Sequence, residues 1–140
     1  MLTSEYRHML DSKNRLFIPA KHREELGNSF MVFRSIRGNC LKVYSMEEWT
    51  KYIAPFENLP RATAEKLNRF INRFAIQVEP DAQGRIGLNE GLVQHAMLEK
   101  EAVIVGCGHY SEIWSAKLYE AEVEAESQEE IRAQLEEVGL

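Results

Sequence analysis

The sequence predicts an α+β fold built from two copies of one βαβ-containing module, and three observations carry that prediction. A shift of 70 positions sets Asp11-Ser-Lys-Asn-Arg15-Leu-Phe-Ile18 over Asp81-Ala-Gln-Gly-Arg85-Ile-Gly-Leu88, one shared pattern of D-x-x-x-R-apolar-x-apolar. Without a gap, the same shift sets Gly38 over Gly108, Val43-Tyr44-Ser45 over Ile113-Trp114-Ser115, and Trp49 over Tyr119. Within each copy the signals for turn, strand and helix then follow one order, so duplication is a better account than chance.

Residues Tyr6 to Leu10 suit a short strand, and Asp11 suits the turn after it, because its short carboxylate accepts backbone N–H bonds. Asn14 and Gly84 hold equivalent places and are the residue types that best tolerate positive φ. Leu16 and Ile18, like Ile86 and Leu88, alternate at period two, as a strand with one face on a core requires. Each copy is thus expected to start as a β-hairpin. Pro19 is a natural first helical residue for Ala20 to Leu26, with Gly27 as the stop. Asn89 stands in its place in the second copy and can cap a helix from Glu90 to about Ala96.

Phe30 to Arg34 and Leu41 to Tyr44 read as strands around the turn Arg37-Gly-Asn39; Ala102 to Val105 and Glu112 to Trp114 repeat this around Gly106 to Gly108. Ser45 suits the cap of a helix carrying Met46, Trp49 and Ile53, and Ser115 one carrying Leu118 and Tyr119. A module of about 45 residues buries too little surface to stand alone, so the two copies are expected to close one barrel-like core with pseudo-two-fold symmetry and to cover each other's edges.

The expected organisation is a first module over residues 5–53, a connecting helix within 54–74, a second module over 75–121 and an acidic helical tail over 122–140. In the connector, Leu67, Phe70, Ile71 and Phe74 share one helical face, and Lys66, Arg69 and Arg73 form a basic row beside it. That row suits a phosphate backbone or simply a solvated face. In the tail, Ile131, Leu135 and Val138 share a face suited to packing on another subunit or on the second module, with a solvated helix end as the alternative.

A chain of 140 residues is of single-domain size, and its 44% apolar and 28% charged residues suit a folded core, not a disordered chain. Its net charge of -5 is unevenly spread: residues 1–74 hold 13 basic and 8 acidic side chains, residues 75–140 hold 4 and 14. A basic half is therefore joined to an acidic half, and DNA would avoid the acidic end. No apolar run long enough for a membrane span is present, and the start MLTSEYRHML lacks the apolar stretch of a signal peptide, so a cytoplasmic location is expected. Cys40 and Cys107 read as two reduced thiols.

The pairs Asp11/Arg15 and Asp81/Arg85 carry most of the chemistry. A planar guanidinium takes two hydrogen bonds from guanine O6 and N7 in the major groove, and a neighbouring lysine such as Lys13 neutralises phosphate. Asp11 suits shaping the turn or orienting Arg15 better than touching DNA, which its charge would repel. Arg7, Lys21 and Arg23 widen the basic patch. The competing use of D-x-x-x-R is an internal ion pair that fixes the turn with no ligand. Lys13 and Lys21 correspond to Gln83 and Gly91, so the first copy is expected to dominate DNA binding.

Enzyme readings fare poorly. No phosphate-binding or dinucleotide glycine pattern is present, and Gly106-Cys-Gly-His109 has neither spacing. Cys107 and His109, with Cys40, His8, His22 and His95 scattered, complete no metal site or Cys-His pair. No cofactor, no metal and no catalytic residue are expected.

Tyr6-Arg-His-Met-Leu-Asp11-Ser-Lys-Asn-Arg15-Leu-Phe-Ile-Pro-Ala-Lys21, Cys40-Leu-Lys-Val-Tyr44, Trp49, Asp81-Ala-Gln-Gly-Arg85-Ile and Glu112-Ile-Trp114 resemble the MraZ family from about residue 5 to 119. The resemblance implies a bacterial transcriptional regulator with an AbrB-like swapped-hairpin (double-psi-type) β-barrel and peripheral helices. It implies a homo-oligomeric ring that binds short direct repeats in double-stranded promoter DNA upstream of the division and cell-wall gene cluster, its own gene included, in the cytoplasm and at the nucleoid. By position, Arg15 resembles the family's principal DNA-contacting arginine, with Asp11 as its motif partner and Lys13 fitting the same motif; Arg85 and Asp81 match the second motif. Asn14 stands where the family usually has Gly, and Ser45 and Asn89 where it often has Pro. The alternative is a structural or protein-interaction oligomer without specific DNA binding.

Overall fold

A computed structural model describes all residues, Met1–Leu140. Its elements run β1 (Glu5–Met9), β2 (Arg15–Phe17), α1 (Ala20–Leu26), β3 (Phe30–Arg34), β4 (Leu41–Ser45), α2 (Met46–Ile53), a 3₁₀ turn (Ala54–Asn58) and α3 (Arg61–Asn72), then β5 (Ile76–Val78), β6 (Arg85–Gly87), α4 (Glu90–His95), β7 (Glu101–Gly106), β8 (Ser111–Ser115), α5 (Ala116–Glu124) and α6 (Gln128–Glu137). The caps are those the sequence indicates: Ser45, Asn89 and Ser115 accept the backbone N–H of Glu48, Leu92 and Leu118. The tail carries the end of α5 and then α6, which Ser127 starts by accepting the Glu130 N–H.

Six strands form one antiparallel sheet in the order β1-β7-β8-β4-β3-β5, and β2 pairs with β6 as a separate ribbon. Exchanging each strand for its counterpart in the other half reverses this order and so keeps every neighbour pair. The pairing crosses between halves. β1 lies on β7, with Tyr6 opposite Ile104, and β5 lies on β3, with Ile76 opposite Val32. The expected hairpins are therefore corrected: the turn forms, closed by Asp11 N–H to Arg15 O at 3.0 Å, but the strands on either side then part. Leu10 N–H goes to Lys100 O, and Ile18 N–H goes to Gly84 O. The closed barrel is corrected as well, since the large sheet ends in free edges at β1 and β5.

The gapless repeat fails in the third strand. Phe30 and Val32 pair with β4 as Ala102 and Ile104 pair with β8, two residues beyond the 70-residue shift. The loop before β7 is longer by that amount and the turn after it shorter, so Gly38 and Gly108 are not structural equivalents.

One face of the large sheet supplies Phe30, Val32, Leu41, Val43, Ala102, Ile104 and Ile113 to the main core. The ribbon closes that core with Leu16, Ile18, Ile86 and Leu88, helped by Leu26 of α1 and Leu92 of α4. Burying each such side chain is worth about 1.5–3 kcal/mol, so the ribbon is anchored by apolar contact and not by its few ladder bonds. On the opposite face, Met31 and Phe33 meet Trp49 of α2 and Ile71 of α3. Arg34 ties α3 down by donating to Phe70 O at 3.0 Å with its guanidinium over the Phe70 ring. No helix is long and apolar enough to cross a membrane.

Candidate nucleic-acid interface

Alternation along the ribbon decides where the charged residues go. Leu16 faces Ile86 across the ribbon and both are buried, so Arg15 and Phe17 on one strand and Arg85 and Gly87 on the other take the outward face. The two motif arginines therefore share one surface. Arg15 stands opposite Gly87, which has no side chain to cover it, whereas Arg85 stands opposite Phe17.

Each aspartate builds its loop in the same way. Asp11 Oδ1 accepts the backbone N–H of Lys13 at 2.9 Å and of Arg15 at 2.8 Å, while Oδ2 accepts Arg15 Nε at 2.7 Å. Asp81 does the same with Gln83, Arg85 and Arg85 Nε at 2.9, 2.9 and 3.0 Å. Asn14 at φ 57° and Gly84 at φ 82° complete the two turns, as expected. Gly84 is needed for a second reason: a Cβ there would lie 2.9 Å from Arg23 Cζ and from the Phe17 ring.

The Arg15 backbone N–H, with its side chain and the Lys13 N–H, holds the Asp11 carboxyl below its ordinary value against the opposing effect of desolvation; Arg85 and Gln83 do so for Asp81. Since folding lowers both pKa values, the stabilisation is complete above the unfolded carboxylate value of about 3.9 and is lost as pH falls through the folded values. A carbon-detected NMR titration should place both midpoints below 3.9. A midpoint at or above it would mean the turn bonds do not form.

The other expected basic residues are spread more widely. Lys13 is exposed on the first loop and Lys21 on α1. Arg23 Nε donates to Ile18 O at 2.9 Å and its guanidinium lies on Gly84 of the second loop. Arg7 lies between Glu101 at 3.1 Å and Glu120 at 3.0 Å. Beside the first loop stands Glu90, 3.5 Å from Asn14 Nδ2. No local signal marked Glu90 or Arg23 for these places, because each reaches the loop across the halves.

The buried ones among the remaining polar candidates are occupied within the fold. His22 is buried between Thr3 O at 2.8 Å and Ser111 Oγ at 2.9 Å. Burial, followed by the charge of Glu112, pushes the Cys40 thiol up to about 12, so it is protonated at neutral pH, while Cys107 is exposed. No three His, Cys, Asp or Glu side chains converge as a metal site would require.

Comparison with known proteins matches the chain twice to the family described as "MraZ protein, putative antitoxin-like", over residues 1–70 and 71–138. The second match extends through the tail. The chain is 40% identical over 145 residues to the protein named transcriptional regulator MraZ of Halothermothrix orenii, covering 100% of both chains. It is 40% identical over 144 residues to the one of Lactobacillus gasseri, again covering 100% of both. To that of Alkaliphilus oremlandii it is 44% identical over 117 residues, 82% of this chain and 81% of the relative.

Proposed function

Because the chain belongs to the MraZ family, we propose that it is a transcriptional regulator that binds promoter DNA through its first D-x-x-x-R loop. The observation that carries this reading is the state of Arg15. Its Nε is fixed by Asp11 while neither Nη donates to any group of the chain, beside the exposed Lys13. A fork held at its base with both tips free is the arrangement for bidentate recognition of guanine.

In this reading Arg15 reads a base edge, while Lys13 and Lys21 neutralise phosphates. Arg23 serves the same end at the second loop. Arg7 and Arg85 stand behind these four, since two carboxylates already hold each of them. The exchange of β1 and β5 between halves is the feature we relate to the swapped hairpins of AbrB-like barrels.

The DNA is a set of short direct repeats upstream of the division and cell-wall gene cluster, bound by a ring of copies in the cytoplasm at the nucleoid. Several loops engaging tandem boxes would gain affinity through effective concentration without any one loop binding strongly. Support for assembly comes from α6, whose Ile131 and Leu135, with Val138 just after it, remain exposed and uncovered within one chain. The same stripe favours a second reading, an interaction oligomer without sequence preference. Capture of genomic fragments by the full chain separates the two: one promoter with tandem boxes should be enriched, and uniform recovery would reject the DNA reading.

A further inference from the structure

The two motifs look alike in sequence but are not equal in space. Arg15 reaches one carboxylate, Asp11, at 2.7 Å. Arg85 reaches two: its Nε bonds Asp81 Oδ2 at 3.0 Å, and its Nη1 lies 3.8 Å from Asp11 Oδ2, the same oxygen that holds Arg15. Arg15 has no matching approach to Asp81, and its side chain is 36% exposed against 29% for Arg85. The four charges thus form one row, Arg15–Asp11–Arg85–Asp81, with a cation at one exposed end and a carboxylate at the other.

We propose that Arg85 is a positioning residue for the first motif, acting through Asp11 to set the Arg15 fork, and is not itself a DNA contact; this rests on the reading of Arg15 given above. The physical reason lies in the charge of Asp11. A carboxylate beside a DNA backbone repels phosphate and pulls the guanidinium inward. The second cation, 3.8 Å from the same oxygen and so beyond hydrogen-bond length, offsets part of that charge. Arg85 is itself held in place, tied at Nε and at backbone N to Asp81 as Arg15 is to Asp11. The second motif then serves the first, which accounts for a repeat whose basic neighbours survive in only one copy.

The test is titration of the full chain against a labelled duplex from the region upstream of its own gene, over a series of salt concentrations. A direct phosphate contact and a positioning role differ in slope, because each neutralised phosphate adds about one unit to the dependence of log affinity on log salt. Arg85→Ala should weaken binding about tenfold, as for loss of a group that orients a directly bonding side chain, with the slope unchanged. It should also narrow the gap between the matched duplex and a scrambled one. Arg85→Lys should recover most of the loss, and Lys13→Ala should lower the slope by about one. If Arg85→Ala melts early, Arg85→Gln carries the same measurement. A slope lowered by about one in the Arg85 variant, or an affinity unchanged, overturns the proposal and leaves the role of Arg15 standing. A wild-type chain that binds no duplex overturns both.

Discussion

Arg15→Ala is expected to cost about 1–3 kcal/mol for each loop engaged with DNA, the worth of one bidentate contact to guanine. In an assembly that engages several boxes these losses accumulate, so the affinity for tandem repeats should fall far more than the affinity for one box. The fold should survive. Arg15 is outward-facing on the ribbon, and a partly exposed ion pair such as Arg15–Asp11 contributes only about 0–1 kcal/mol to stability. Arg15→Lys should rescue little, because an ammonium keeps the charge but not the planar fork. Titration at fixed salt, with circular dichroism on the same samples, checks this. Unchanged affinity would remove Arg15 from recognition, and loss of folding would make the motif an internal brace.

Leu16→Ala is the counterpart for stability. Leu16 is 0% exposed and sits opposite Ile86 at the centre of the ribbon, where the two halves of the chain meet. Truncation there removes a buried side chain and leaves a cavity that a ribbon of two three-residue strands cannot collapse to fill. The expected cost is about 2–5 kcal/mol, and the thermal midpoint should fall by on the order of 10 °C. Chemical denaturation measures it. A loss below about 1 kcal/mol would mean that the ribbon is not closing the core. DNA binding should suffer only through the unfolded fraction, since Leu16 points away from the outward face.

These two neighbours show what a linear reading reaches. Arg15 and Leu16 differ in fate because successive strand residues face opposite ways, and that alternation is legible from the residue types alone. So are the turns, where Asp11, Asn14, Asp81 and Gly84 behave as their local chemistry requires, and the caps at Ser45, Asn89 and Ser115. Each depends on contacts within a few residues, whose geometry the backbone enforces. The hairpins were the instructive failure. Turn chemistry specified the reversal after Met9 correctly, but which strand each arm pairs with was settled elsewhere, by β7 and β6.

The amino-acid order by itself determined the repeat, the turns, the helix starts and the division into basic and acidic halves, all features governed by near neighbours. Only the tertiary structure decided that the halves exchange their first strands, that Arg23 crosses to Gly84, and that Asp11 comes within reach of Arg85. Those outcomes depend on which apolar faces find each other across some seventy residues of chain, and hydrophobic burial carries no direction that a local pattern could record.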